Sequence, residues 1–206
     1  MNAHTIFLFI LASLMLNILP GQDMLFIISR TLAYHLRGGL YSVAGISVGL
    51  LVYTLVVASG LSAIMIQSHI LFNTIKFMGA IYLVYLGIKL FKQKDNMVIN
   101  SKNLASISAG KLFLDGFVTN VLNPKILVFF IAFLPQFVQP ENGGLFCQFA
   151  LLGLIFIVSG TCVNSAVVLF SHKLKSVLLK NQKIKQIQAR VAGMILIALG
   201  LKVAFE

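Results

Sequence analysis

The most informative stretch of this sequence reads Asn120-Val-Leu-Asn-Pro-Lys125 and lies in the middle of an apolar run from Leu112 to Leu134. A proline removes a backbone donor and breaks a helix, and a lysine is costly at bilayer depth. A second interruption, Pro20-Gly21-Gln22-Asp23, lies inside the first apolar run of the chain. Paired broken helices with ionisable neighbours are typical of transporter binding sites. The two breaks therefore predict one polar site inside a membrane protein.

The composition indicates that the chain lies in a lipid bilayer. Mean hydropathy is +0.97, and charged residues make up only 10% of the sequence, against about 25% in soluble domains. We therefore expect an all-α, multi-pass integral membrane protein whose 206 residues form a single membrane domain. The net charge of +11 does not predict a nucleic-acid partner, because the basic residues lie between apolar runs and not in a patch interleaved with aromatics.

Six apolar segments, each close to the ~20 residues that cross a bilayer, predict six transmembrane helices. They are Thr5 to Ile28, Leu40 to Ile66, Ile70 to Ile88, Leu112 to Leu134, Leu145 to Phe170 and Ile187 to Phe205. Lys and Arg are concentrated in the odd-numbered connections, near 30–39, 89–111 and 171–190, and are absent from the second and fourth. The positive-inside rule then puts the odd connections in the cytoplasm and both termini outside. A chain with five spans would instead have its C-terminus inside.

The two halves of the chain share a short pattern. Residues 16–23 and 119–125 each contain an asparagine, two apolar residues and a break at proline, in the first span of a three-span half. An odd number of spans per half gives the halves opposite orientations, which is an inverted repeat. We expect halves of about 1–88 and 112–206, joined by a cytoplasmic connection at 89–111. Chance similarity is the alternative for so short a match.

The candidate substrate-binding residues come from both breaks: Asn17, Pro20, Gly21, Gln22, Asp23, Asn120, Asn123, Pro124 and Lys125. A half-helix N-terminus can hold a carboxylate, and Lys125 would add to that subsite. Asp23 would meet an ammonium group or carry the coupled proton, since a carboxylate among apolar residues can titrate. Straight helices would leave the two charges ~12 Å apart along the membrane normal, so a water or a zwitterionic ligand would bridge them. Simple kinks, and a hydrated interfacial Asp23, are the alternatives.

Two further pairs predict structure and not chemistry. Lys111 and Asp115, one helical turn apart, predict an ion pair at the cytoplasmic mouth of the fourth span. Gly45 and Gly49, at the spacing of small residues in membrane helix interfaces, predict close packing of the second span.

Enzyme chemistry finds no support in the sequence. It has no H-E-x-x-H or Walker motif, and its four histidines lie at segment ends without ligand spacing. We therefore expect no enzyme, no catalytic residue, no metal and no cofactor.

The motifs resemble those of the LysE/RhtB superfamily of amino-acid exporters. The matching stretches are Asn17 to Asp23, Gly38-Gly39, Ala44 to Gly49, Gly79 to Gly87, Phe113 to Phe117, Asn120 to Ile126 and Phe133 to Phe137. The resemblance implies a bacterial inner-membrane exporter of small amino acids or derivatives that uses the proton-motive force. Gln22 stands where the family's first motif usually has a second proline, so no single relative's cargo can be assumed.

We therefore predict a secondary transporter, an antiporter that exports a small zwitterionic metabolite such as an amino acid in exchange for protons. Its partners would be this cargo, protons and membrane lipids, and a homodimer is left open. A channel or lipid-handling protein on the same inverted plan is the alternative, and would show flux without proton coupling or a cargo that is not zwitterionic. A membrane-embedded enzyme would need a nucleophile or metal cluster at one depth.

Overall fold

The computed structural model describes residues 1–18, 21–92 and 107–180, together with short helical pieces between 190 and 201. In this part of the chain every regular element is helical, which confirms the predicted all-α class. The α-helices are α1 (Ala3–Ile18), α2 (Gln22–Gln67), α3 (His69–Lys92), α4 (Ala109–Val121), α5 (Pro124–Val128) and α6 (Leu145–Lys180). A π-helix (Phe129–Phe133) and two 3-10 turns (Leu134–Phe137 and Pro140–Asn142) follow α5. Pro20, most of the 89–111 connection and most of the sixth predicted span lie outside the described residues.

Two of the described helices are long and apolar enough to cross a membrane, namely α2 and the part of α6 from Leu145 to Ser171. The pair Ala109–Val121 and Pro124–Phe137, bent by 49°, would make a third span. Two other apolar helical stretches, Ala3–Ile18 and Phe77–Lys89, are shorter. Length and composition thus identify two or three spans within the described residues, and six spans stay a prediction.

Both predicted breaks are present. α1 ends at Ile18 and α2 starts at Gln22, after Gly21 in an extended conformation (φ −150°, ψ −170°). α4 ends at Val121, and α5 starts at Pro124, where the absent N–H of proline costs nothing in the first turn. Each apolar run that the sequence presents as one segment is therefore two helices.

The predicted connection at 30–39 is a two-residue turn between two helical stretches of α2. α2 continues through this stretch, and only Tyr34 and His35 leave helical geometry. His35 has φ 59° and ψ −170°, a combination that glycine almost alone adopts. Residues 30–37 contain neither glycine nor proline, so helix persists on both sides and the chain turns at two residues.

Close packing of α2 against α4 confirms the structural role predicted for the small residues. A Cβ on Gly45 would collide with the backbone of Phe113 in α4, and a Cβ on Gly116 with the backbone of Ser42 in α2. Because neither helix can carry a side chain at these points, their backbones approach closely. This contact places the end of α4 beside the middle of α2.

A cluster of buried aromatic rings supports the second break from behind. Phe129 stacks on Phe156 of α6 at 4.2 Å between ring centroids, and Phe9 of α1 packs edge-on against Phe137 at 5.1 Å. Phe9, Phe130 and Phe156 are fully buried. Interlocked rings of this kind hold the π-helix and the first helix to α6, and so fix the surroundings of both breaks.

Candidate functional site

The carboxylate of Asp23, in the first turn of α2, is held by two amides of the other break. Nδ2 of Asn120 donates to Oδ2 of Asp23, and Nδ2 of Asn123 donates to Oδ1, each at 2.9 Å. Both asparagines are buried. An acid in the first helical turn also complements the positive end of the helix dipole. The structure thus brings Asp23, Asn120 and Asn123 together, and Asp23 is not a solvated interfacial residue.

Lys125, at the second break, is bonded to the end of the helix that precedes the first break. Its ammonium Nζ donates a 2.7 Å hydrogen bond to the carbonyl of Leu16 in the last turn of α1. Carbonyls of a last turn have no partner within their helix, and a cation there is favoured by the dipole. The lysine therefore lies at the polar end of α1 and does not snorkel to the membrane surface.

Asn123 has two functions in this arrangement. Its Oδ1 accepts from the backbone N of Lys125 at 3.0 Å, which caps α5, while its Nδ2 holds Asp23. A single side chain thus starts one half-helix and anchors the other.

Asn120 carries an unused acceptor. Its Oδ1 is fully buried and has no hydrogen-bond partner within the described residues, although its Nδ2 is bonded to Asp23. A buried acceptor without a donor costs about 1–3 kcal/mol. This oxygen lies beside Gly49 of α2, whose Cβ, if present, would be 2.7 Å away. A ligand N–H could satisfy it next to the carboxylate.

Asn17 lies on the other side of the arrangement. Its Nδ2 donates to Oγ of Ser159 in α6 at 3.1 Å, and a Cβ on Gly160 would lie 3.2 Å from its Oδ1. Asn17 is therefore bonded to α6 and not to Asp23. Gln22 is exposed at the first position of α2, and within the described residues it makes no hydrogen bond to the site.

Tyr53 is a participant that sequence reasoning missed. Its Oη donates a 2.6 Å hydrogen bond to the carbonyl of Val121, the last residue of α4. The helix end before each break is thus completed by a side chain from another helix. The signal was available, because a tyrosine inside a predicted span needs a partner for its hydroxyl.

The predicted ion pair of Lys111 and Asp115 is confirmed at 3.0 Å, and a second cation joins it. Nη2 of Arg30 in α2 lies 3.1 Å from the other oxygen of Asp115. Arg30 also lies over the ring of Phe26, at 5.0 Å from its centroid. Sequence reasoning missed Arg30, because the two residues belong to distant segments.

Comparison with known proteins identifies the class and then the family. The chain is an all-helical membrane protein, and the family model of the LysE type translocators matches residues 14–206. It belongs to this family, which confirms the resemblance read from the motifs.

Three relatives illustrate the range. The membrane protein YrhP of Bacillus subtilis is 32% identical over 207 residues, which cover 97% of this chain and 98% of the relative. The homoserine/homoserine lactone efflux protein of Salmonella typhi is 33% identical over 153 residues, or 74% of this chain and 73% of the relative. The leucine efflux protein of Salmonella choleraesuis is 21% identical over 203 residues, or 95% and 92%. No solved structure matches the chain.

Proposed function

We propose that this protein is a secondary transporter that exports a small zwitterionic metabolite, an amino acid or a derivative, in exchange for protons. The observation that carries the proposal is the convergence of a carboxylate, two amides and an ammonium group where two helices are broken. Two relatives are named for the efflux of homoserine and of leucine. These amino acids share their ammonium and carboxylate groups and differ in the side chain.

The arrangement suits both ends of such a cargo. Asp23 and the unused Oδ1 of Asn120 offer acceptors to the cargo ammonium. Lys125 offers a charge to the cargo carboxylate and would exchange the carbonyl of Leu16 for it. Gly21, Gln22 and Pro124 shape the breaks, and Asn17 holds the end of α1 to α6. Pro20 lies outside the described residues and stays a predicted member of the site.

Asp23 is the proposed site of proton coupling. A carboxylate away from water is costly to keep charged and unpaired. Cargo ammonium and a proton therefore compete for the same group, and either one neutralises it. Because the proton and the cargo compete for Asp23, proton entry can drive cargo exit although the proton and the cargo never contact each other.

We further propose six spans in two inverted halves, about 1–88 and 112–206, within a single membrane domain. Two reciprocal contacts support this plan. Asn17 of the first predicted span lies against Gly160 of the fifth, and Asn120 of the fourth lies against Gly49 of the second. A two-fold axis that exchanges the first span with the fourth, and the second with the fifth, converts one contact into the other.

The proposed location is the bacterial inner membrane, with both termini outside. Cysteine accessibility tests the orientation in a variant whose natural cysteines, Cys147 and Cys162, are serine. Lys89→Cys should react with an impermeant maleimide only from the cytoplasmic face, and Asn142→Cys only from the outer face. Reaction of Asn142→Cys from the cytoplasm would overturn the orientation.

Counterflow in proteoliposomes tests the function. Liposomes loaded with unlabelled leucine or homoserine should transiently accumulate the labelled form, and a pH gradient should drive net movement. The corresponding amine, which lacks the carboxylate, and the corresponding acid, which lacks the ammonium, should not compete. Equal flux of all three compounds without any effect of pH would favour a channel, and exchange of lipid alone would favour a lipid-handling protein.

A further inference from the structure

A cavity of about 580 Å³ opens beside the bend of α2, away from the two helix breaks. Its volume lies within the ~300–1,000 Å³ range of small-molecule sites. It is lined by Thr31, Tyr34, His35, Leu36, Arg37, Leu169 and Ser171. The positive-inside reading puts this face of the protein in the cytoplasm, so the cavity lies where an exported molecule first meets the protein.

Two buried hydroxyl groups in the cavity wall have no partner among the described residues. Oγ of Ser171 and Oη of Tyr34 are both buried and form no hydrogen bond within the described part of the chain, and Ser171 is only 1% exposed. Buried polar groups in native proteins are nearly always bonded, so each exception needs an explanation. Both residues line the cavity, so the cavity suits a ligand with acceptor oxygens.

The charge of the cavity matches such a ligand. Arg37 lies in its wall and is exposed, while none of the described residues that line it is acidic. The nearby Arg30 is already paired with Asp115. A guanidinium with two hydroxyl donors suits a carboxylate, and Leu36 and Leu169 provide an apolar wall for a side chain.

The bend itself creates this space. His35 holds a backbone conformation that costs about 1–3 kcal/mol in a residue other than glycine. If α2 ran straight, Tyr34 to Arg37 would continue along one helix and would not wrap around a hollow. Backbone strain of this kind is found where the surrounding structure and a ligand site depend on it.

We propose that this cavity is a second binding site, which takes the carboxylate of the amino acid from the cytoplasm before the cargo reaches Asp23. The proposal rests on the export function proposed above. Thr31 follows Asp23 by eight residues on α2, or ~12 Å along the helix, so the two sites are separate. Arg37, Ser171 and Tyr34 hold the carboxylate in the cavity, and Lys125 holds it in the site at the breaks.

A kinetic experiment on vesicles of both orientations tests the cavity. In inside-out vesicles, which expose the cytoplasmic face, Arg37→Gln and Ser171→Ala should each raise the half-saturation concentration for leucine or homoserine by about tenfold, as expected for one lost hydrogen bond to a charged group. In right-side-out vesicles with saturating amino acid inside, both variants should keep the wild-type half-saturation concentration for the external amino acid. Lys89→Gln, which removes an exposed cytoplasmic charge outside the cavity, is the matched control and should change neither.

The serine variant separates binding from folding. Oγ of Ser171 has no partner among the residues that the structure describes, so its removal should leave the thermal unfolding temperature unchanged. A purely structural role for Ser171 therefore predicts wild-type transport from the cytoplasmic face. Wild-type half-saturation in both Ser171→Ala and Arg37→Gln would overturn the proposal.

Protection of a cysteine from alkylation measures binding without transport. Leu36→Cys, with Cys147 and Cys162 replaced by serine, should react more slowly with a maleimide when leucine or homoserine is present. The corresponding amine and inorganic phosphate should not protect it, and Lys89→Cys should be protected by none of them. Reaction that is slowed by anionic lipid alone would assign the cavity to a lipid headgroup and overturn the proposal.

The two measurements distinguish the possible failures. Protection of Leu36→Cys without any counterflow would overturn the export function and leave an amino-acid site in the cavity. Counterflow without protection would leave export in place and remove the second site.

Discussion

The two helix breaks are completed in different ways. At the second break Asn123 caps the new helix locally, with its Oδ1 bonded to the backbone N of Lys125 two residues on. At the first break Gly21 supplies no side-chain cap, and the groups that complete it come from the second break, namely Lys125 on Leu16 and the two amides on Asp23. The second break therefore forms from its own residues, whereas the first depends on it.

This difference places the adjustable contacts at the first break. A local cap does not change partner without unwinding its helix, but the long-range bonds to Asp23 and Leu16 can be exchanged for bonds to a cargo at little cost. We therefore expect substitutions at the second break to change function through the bonds that this break makes to the first one.

The largest effect is expected for Lys125→Met. Methionine keeps most of the length of lysine and removes both the bond to Leu16 and the charge offered to a carboxylate. The removal of a buried charge also removes its desolvation cost, so the protein should still fold in the membrane while export is lost. Labelled amino-acid export from cells, with the amount of membrane protein measured in parallel, checks this.

Lys89→Met is the matched control for this variant, because Lys89 is exposed at the end of α3. It should export at the wild-type rate. Wild-type export by Lys125→Met would show that Lys125 only completes α1, and the dependence of the first break on the second would then be purely structural.

A smaller and more selective effect is expected for Asp23→Asn. The new amide can accept one of the two hydrogen bonds from Asn120 and Asn123 but presents a donor to the other, a loss of about 1–3 kcal/mol. It also cannot take up a proton in the working range. Uphill export driven by a pH gradient should disappear in proteoliposomes, while exchange of labelled for unlabelled cargo continues at a reduced rate.

Equal loss of exchange and uphill export would assign Asp23 to cargo binding alone. Retention of both activities would show that Asp23 is not part of the site and that its bonds to the second break do not matter for transport.

A still smaller effect is expected for Gly49→Ala. The new Cβ would lie 2.7 Å from Oδ1 of Asn120 and 3.1 Å from its Cβ, so the buried amide must move away from Asp23. We expect about tenfold weaker cargo exchange, as for one lost hydrogen bond to a charged group. Gly160→Ala, whose Cβ would be 3.2 Å from Asn17, should have a weaker effect, because Asn17 does not hold Asp23.

Gly60→Ala is the matched control on the same helix, since a Cβ there meets nothing within 4 Å. It should leave exchange unchanged and stabilise α2 slightly. A loss in Gly60→Ala equal to that in Gly49→Ala would point to the helix as a whole and not to Asn120.

The smallest effect concerns the local cap. Asn123→Ser keeps a good N-cap acceptor and Asn123→Ala does not, so the two variants should differ in stability by about 1 kcal/mol. Both lose the donor to Asp23, so both should lower transport to the same extent. Thermal unfolding in detergent measures the effect on stability, and exchange in proteoliposomes measures the effect on transport. If the less stable variant also transports less, the cap and the bond to Asp23 do not have separate roles.

The membrane class, the position of both breaks, the ion pair of Lys111 with Asp115 and the packing role of Gly45 and Gly49 could all be predicted from the sequence. These features depend on composition, on the geometry of proline and on spacings of three or four residues along a helix. Local chemistry is sufficient for each of them, and each can be recognised without any knowledge of distant segments.

The groups that meet at the breaks are known only from the fold. The bonds of Asp23 to Asn120 and Asn123, of Lys125 to Leu16 and of Tyr53 to Val121 join segments that are far apart in the chain. No spacing in the sequence encodes such partners, because they result from how α2 packs against α4 and α6. The shortness of the turn at Tyr34 and His35 could not be predicted for a related reason, since strain at one residue is tolerated only where the packing around it holds the bend.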